Sequence, residues 1–383
     1  MSERPLRVGF NARLLVDPRI RGWNRYTIDL LAELPAQGVR PILYARGPIA
    51  GAHLERLPEN SFEVREFAGS RLLEWEHRLL PRALRDDGVD LFHSPFNFGI
   101  PWSCPCPTVL TLHDAIDYVY YRDRQSLAQR FAPAALRFLA LHWSSRVRAD
   151  RIITVSRHAK GDIVRRLGVR PDRIEVIHEA ADPAFLRPVT PEDRARARAR
   201  HDLPDRYFFY VGGWEGRKNI PFLLDAFAAA TLDDVHLVLA GGKADQRAAI
   251  LERAERLGIA TRLRLLEWVE DEDLPALYAE AIAFVYPSEY EGFGLQLCEA
   301  MAVGTPALAS RASCLPEILG AGGETFGLET TDEAAELMRR TALDRAYREE
   351  LARRASARSA DFSWAAAARE TAALYRSLVE RSR

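Results

Sequence analysis

Short apolar runs alternate with longer stretches of helical periodicity along almost the whole chain. In the first half the runs fall at residues 6–10, 41–44, 91–93, 109–113, 151–155 and 173–177. In the second half they fall at 207–212, 235–240, 263–268, 282–286 and 306–309. They are rich in Val, Ile, Leu, Tyr and Phe and bounded by Gly, Pro or a His-Asp pair, as strands buried on both faces of a parallel sheet are. Between them apolar positions recur at helical spacing, over 25–34, 220–229, 244–257 and 274–281 among others. Repeated strand and helix predict an α/β architecture, with helices on both faces of parallel sheets.

The series restarts near residue 205, after PVTPEDRARARARHDLPDR, a charged stretch with no strand pattern. That break predicts two doubly wound, Rossmann-like domains: residues 1–183, a linker over 184–204, and residues 205–365. A final amphipathic helix is expected over 366–383. At 383 residues the chain is also too long for one average core. Ligands of open parallel sheets sit beyond the carboxyl ends of the strands. Two such sheets facing each other would place the site in the cleft between them.

Composition narrows the function. Hydrophobic residues are 48% and charged residues 28%, with a net charge of −1, so no overall field favours nucleic acid. No apolar run approaches the roughly 18 residues that span a bilayer. The start MSERPLRVGF lacks the apolar middle of a secretion signal. Four cysteines (Cys104, Cys106, Cys298, Cys314) show neither CxxC nor a Cys-His zinc spacing. A reducing cytoplasm with free, mostly buried thiols is expected. Only Lys160, Lys218 and Lys243 among 53 basic residues are lysines, so each departs from the chain's use of arginine.

Two segments carry the candidate chemistry. In SEYEGFGLQLCEAMAVGTPALAS, a strand and loop lead through Gly292-Phe293-Gly294 into a helical stretch, with Glu291 just before it and Glu299 about one turn inside. A helix that starts after glycines presents amide donors suited to an anion. The two glutamates can accept from hydroxyls, and the mix suits a ligand with phosphates and many hydroxyls, such as a nucleotide sugar. A packing turn with both acids on a solvated face is the competing reading. The second segment, Val211 to Asn219, joins a strand end to the glycines Gly212 and Gly213 and the adjacent cations Arg217 and Lys218. Cations at a strand's carboxyl end would stabilise a diphosphate, most strongly as it departs. An ordinary surface basic pair is the alternative.

In the first half, Thr111-Leu112-His113-Asp114 closes a strand and sets His113 at its edge, with a structural histidine as the alternative. The loop after the first strand carries Arg21-Gly22-Trp23-Asn24, where Gly22 would let a ligand approach the backbone. Asp271-Glu272-Asp273 resembles a metal-binding triplet, but it directly precedes a helix and is expected to cap it. No P-loop, GxSxG, HExxH or GxGxxG after the first strand is present. From Arg122 to Arg170 twelve bases face three acids, with Phe131, Phe138 and Trp143 interleaved. That pattern is either a solvated helix face or a surface for anionic lipid headgroups.

The stretch PSEYEGFGLQLCEAMAVGTPALAS closely resembles the signature of glycosyltransferase family 4, retaining enzymes of the GT-B fold. TLHD, IITVSRHAKGDI, VGGWEGRKN, VEDEDLPALYAEA and FSWAAAARET stand in the family's order, so the resemblance covers most of the chain. It implies that Arg217 and Lys218 bind the donor diphosphate and that Glu299 holds the ribose hydroxyls. Glu291 and the amides of Gly292, Phe293, Gly294 and Leu295 would hold the transferred sugar. His113 would reach that sugar from the N-terminal domain. Gly22, with Gly212 and Gly213, would line the donor side. It further implies no metal or other cofactor, and a last helix that crosses back to the first domain. Asn24, Gln296 and Glu267-Trp268 depart from the family's commonest residues.

The expected function is therefore retaining transfer of a hexosyl group from a nucleoside diphosphate sugar to an acceptor hydroxyl. GDP-mannose is the first donor considered, and the acceptor is a saccharide or lipid-linked saccharide of a bacterial surface polysaccharide. The expected place is the cytoplasm, with contact to an anionic inner membrane face as a further option. A small-molecule acceptor, or a GT-B sugar-nucleotide epimerase, is the alternative.

Overall fold

The computed structural model describes residues 4–18, 22–121 and 133–382. The chain divides into two units, Met1–Glu179 with Ser363–Arg383, and Ala180–Phe362.

The first unit is built on seven parallel strands: β1 (Leu6–Asn11), β2 (Val39–Ala45), β3 (Glu63–Glu66), β4 (Leu91–Ser94), β5 (Thr108–Thr111), β6 (Arg151–Thr154) and β7 (Ile174–Val176). Their order is β3-β2-β1-β4-β5-β6-β7, so the direction of winding reverses at β1. Ile42, Phe92, Leu110 and Ile152 lie in the core with Trp75 and Leu80 of the covering helices. Each large apolar side chain so buried contributes about 1.5–3 kcal/mol.

The final helix, Trp364–Ser382, groups with this unit and lies against the helix Gly22–Glu33. Its Trp364 ring meets Tyr26 edge-on at 5.8 Å. The Tyr375 hydroxyl is 2.6 Å from His93 Nδ1, and His93 Nε2 is 2.8 Å from Thr111 Oγ1. Tyr26 Oη completes the chain at 3.0 Å from the same Thr111 oxygen. Burial holds the His93 imidazole down at about 3, so this tether runs between uncharged groups.

The second unit has six parallel strands: β8 (Tyr207–Val211), β9 (His236–Ala240), β10 (Leu263–Leu266), β11 (Ala283–Tyr286), β12 (Ala307–Ser310) and β13 (Glu324–Phe326). The order β10-β9-β8-β11-β12-β13 reverses at β8, and Phe284 of β11 pairs with Phe209 of β8. Both faces are covered, and the middle of every central strand is buried.

Two strands lie outside the expected set, β3 (EVRE) and β13 (ETF). Both are sheet edges, where charged side chains replace the apolar run that marks a central strand. Residues 184–204, expected as a linker, are part of the second unit and hold the helix Pro191–His201. A capping box between Thr190 and Asp193, with Pro191 at the first turn, starts that helix.

The arginines of this helix explain its charge. Arg198 reaches Glu280 at 2.6 Å, and Arg194 pairs with the same carboxylate. Arg196, Arg200 and His201 surround Asp273 at 2.9–3.0 Å. The cap expected of Asp273 on the following helix, Leu274–Glu280, is not made. Asp273 stands at that N-cap position, but its fully buried carboxylate is held by those three groups instead. Burial raises the Asp273 carboxyl, and the neighbouring Arg196, His201 and Arg200 outweigh it and hold it below the usual range. Asp273→Ala should therefore cost about 2 kcal/mol, since the arginines left behind can rehydrate. A urea midpoint unchanged from wild type would refute the network.

Of the basic and aromatic run, Arg122, Asp123, Arg124, Arg130 and Phe131 lie outside the described residues, as does Arg21. Trp143 is exposed, while Lys160 donates to the Ile174 carbonyl at 2.7 Å and Arg165 pairs with Asp162 at 2.7 Å. Among the described residues no helix is long and apolar enough to cross a membrane.

Candidate functional site

In the second unit the loops after β8 and β11 emerge side by side at the point where the strand order reverses. Such a point leaves a crevice outside the strand ends. The β8 loop begins with Gly212 and runs through the short turn Gly216–Lys218 into the helix Ile220–Ala229. Asn219 between them takes a left-handed conformation (φ 54°), which Asn tolerates better than most residues. The turn leaves Lys218 only 4% exposed. Gly241, after β9, packs backbone to backbone with this loop, where a Cβ would stand 2.4 Å from the Gly212 carbonyl oxygen.

The β11 loop brings Glu291 to these cations. Its Oε1 is 2.7 Å from Lys218 Nζ, 2.8 Å from Arg217 Nη1 and 2.9 Å from Tyr286 Oη, and it also accepts from Ser288 Oγ. Lys218 further donates to Tyr286 Oη at 3.0 Å, and Arg217 Nη2 lies 3.1 Å from Glu215. Burial by itself raises the Glu291 carboxyl, but Lys218 and Arg217 outweigh burial and hold it at about 2. Burial draws Lys218 below its usual range, and Glu291 opposes that shift. Burial and then Glu291 push the Tyr286 hydroxyl well above its range, so it remains a donor.

After Glu291 the chain turns at Gly294 (φ 94°) into the helix Leu295–Val303. Gly294 is the N-cap, and no side chain caps this helix start. Glu299, one turn inside, is buried and lies 3.0 Å from the Tyr278 hydroxyl. Arg217, Lys218, Glu291 and the Gly292–Leu295 turn are thus one neighbourhood, with two cations balanced by Glu215 and Glu291. That arrangement can take an anion beside the cations and hydroxyls beside the carboxylates.

Sequence reasoning missed the groups that hold the loop. Ser313, at φ 50°, accepts from the Glu291 amide at 3.0 Å. The Cys314 thiol donates to the Glu291 and Phe293 carbonyls at 3.3 and 3.2 Å, and Ser310 donates to the Ser288 carbonyl. The available signal was the pair of small polar residues Ser313 and Cys314 shortly after β12, with Ser310 at the strand's end.

In the first unit His113 stands two residues beyond β5 and is 5% exposed. Its Nδ1 lies 3.0 Å from Glu179 Oε1 and its Nε2 3.1 Å from the Pro95 carbonyl. Tyr26 meets the ring edge-on at 4.7 Å, and Trp23 stacks at 6.2 Å. Glu179, a partner 66 residues away, was not legible from spacing. Gly22 opens the helix Gly22–Glu33, where an added Cβ would meet nothing within 4 Å, so the chain's own packing does not require glycine there. Among the described residues no group of three or more His, Cys, Asp or Glu is assembled as a metal site.

A family model described as "Glycosyl transferases group 1" matches residues 191–358, and one described as "Glycosyltransferase Family 4" matches residues 20–185. The O-antigen chain mannosyltransferase B of Escherichia coli is 29% identical over 94% of this chain and 97% of its own length. A glycosyltransferase structure from Rickettsia africae superposes with a TM-score of 0.76 at 16% identity, over 98% of this chain and 99% of that one. Anabaena HepE in complex with UDP and glucose gives 0.76 at 19% identity, over 97% of this chain and all of that one. At these identities the two structures speak to fold, and the fold is GT-B.

Proposed function

The chain belongs to the group 1, family 4 glycosyltransferases, and on that premise we propose that it moves a hexosyl group from a nucleoside diphosphate sugar to an acceptor hydroxyl with retention of configuration. The cluster of Arg217, Lys218 and Glu291 beside an uncapped helix start carries this reading. In it, Arg217 and Lys218 take the diphosphate and offset the charge that grows on it as the glycosidic bond breaks. Glu291 keeps both cations in place and, with the Gly292–Leu295 backbone, receives the sugar hydroxyls. Glu299, oriented by Tyr278, receives the ribose hydroxyls. His113 and the Gly22 loop, in the first unit, are assigned to the transferred sugar and to the donor side. The transition state has oxocarbenium character, as in related glycosyl chemistry.

GDP-mannose is the donor to test first, and a growing surface polysaccharide or lipid-linked saccharide is the acceptor class. The name of the Escherichia coli relative supports both choices. The reaction is placed on the cytoplasmic side and needs no divalent metal. A thermal-shift screen across GDP-, UDP-, ADP- and dTDP-sugars tests the donor. A donor at about a hundred times its dissociation constant adds about 2.7 kcal/mol to the folded state. GDP-mannose should raise the midpoint most, in EDTA as well as without it. Equal silence from all four nucleotides would overturn the reading, and a rise abolished by EDTA would overturn its metal independence.

A further inference from the structure

Two of the four cysteines lie in the first unit, in the segment that leads into β5. Cys104 and Cys106 are half-buried, whereas Cys298 and Cys314 are buried. The two sulfurs are 3.8 Å apart, which is van der Waals contact. Pro105 and Pro107 restrict the backbone around them, and the strand start beyond is fixed by Thr108, whose amide and hydroxyl donate to Asp150 at 2.8 and 2.9 Å. Both thiols line a surface pocket of about 480 Å³ with Trp102, Arg148, Asp150 and Ser382. This pocket is at the amino end of β5, opposite the end that leads to His113.

We propose that Cys104 and Cys106 form a reactive dithiol that exchanges with small-molecule disulfides and closes reversibly into a disulfide of its own. Geometry supplies two thiols already in contact and an opening for the reagent. Chemistry separates their roles. Either thiol can donate to the other at this separation, and with Cys106 as the donor the Cys104 thiol is lowered while Cys106, with burial added, is raised. Cys104 is therefore the attacking thiolate and Cys106 the resolving thiol.

In the first step Cys104 attacks one sulfur of the reagent, its S–S bond breaks, and one small thiolate leaves and takes a proton from solvent. Cys106 then loses its proton and attacks the Cys104 sulfur of the mixed disulfide, expelling the second small thiolate. Two electrons and two protons pass from the protein pair to the reagent. The sulfurs close from 3.8 Å to about 2.05 Å.

The test uses the full chain, oxidised glutathione as reagent, and N-ethylmaleimide trapping followed by peptide mass spectrometry. Wild type should lose both alkylation sites on the peptide that carries 104 and 106, and dithiothreitol should restore them. Cys106→Ser should stop halfway, with one glutathione held on Cys104. In Cys104→Ser, Cys106 should react at least about tenfold more slowly than Cys104 does in Cys106→Ser. The proposal is overturned if wild type keeps glutathione on either cysteine without closing. Equal rates in the two single variants would also overturn it.

Discussion

Lys218→Ala is expected to lower turnover by about 10²–10³-fold at saturating donor, the usual effect of removing one preorganised group from a site of developing charge. Lys218 is almost completely buried, and a water in the space left by its side chain would bring no charge. Its role depends on Glu291 and Tyr286, which fix the nitrogen at 2.7 and 3.0 Å. The same substitution removes one of the two cations beside a buried carboxylate, at a cost of about 3 kcal/mol in stability. Rate and stability must therefore be read separately, with turnover measured well below the variant's melting midpoint. Lys218→Arg divides the two effects. It returns a positive charge, and with it part of the stability, but a planar fork cannot occupy the place of a compact ammonium. Turnover should stay low in that variant. A folded Lys218→Ala protein with near-normal turnover would sink the diphosphate assignment.

The second large effect concerns acid. Glu291 is held at about 2 in the folded protein against an ordinary 4.5. A carboxyl depressed on folding stabilises above its unfolded value and loses that contribution as pH falls through the folded one. Glu291 therefore contributes fully above about pH 4.5 and progressively less down to about pH 2, roughly 3 kcal/mol in all. Lys218 is depressed as well, by burial, so its linkage has the opposite placing: stability is gained as pH rises toward its unfolded value.

Glu291→Gln removes the acid limb. The stability difference between wild type and this variant, from urea unfolding, should shrink clearly between about pH 5 and about pH 3. A difference that stays constant would mean that Glu291 is not the ionised partner of Lys218 and Arg217. Other depressed carboxyls, Asp273 among them, titrate in both proteins and cancel in the comparison.

Much of this fold could be read along the chain because strands buried on both faces must be continuously apolar over a few residues. Edge strands escape that rule, which is why EVRE and ETF were invisible as strands. The helix over Pro191–His201 was hidden differently. Its arginines resemble a solvated linker until Asp273 and Glu280, 73 to 86 residues on, are brought beside them. The capping box at Thr190 was the one local sign of it.

The candidate site divides in the same way. Sequence alone determined which loops carry the chemistry, because glycines, adjacent cations and an acid ahead of a helix are local facts. It also determined the turn at Gly294 and the helix after it. Only the tertiary structure decided that Lys218 and Glu291, 73 residues apart, share one buried ion pair. Only it decided that Ser313 and Cys314 grip the Glu291 loop, and that Glu179 orients His113. The physical reason for the division is range. Periodicity, turns and helix starts follow from neighbours in the chain, whereas the partner of a buried charge is set by which strands come to lie side by side.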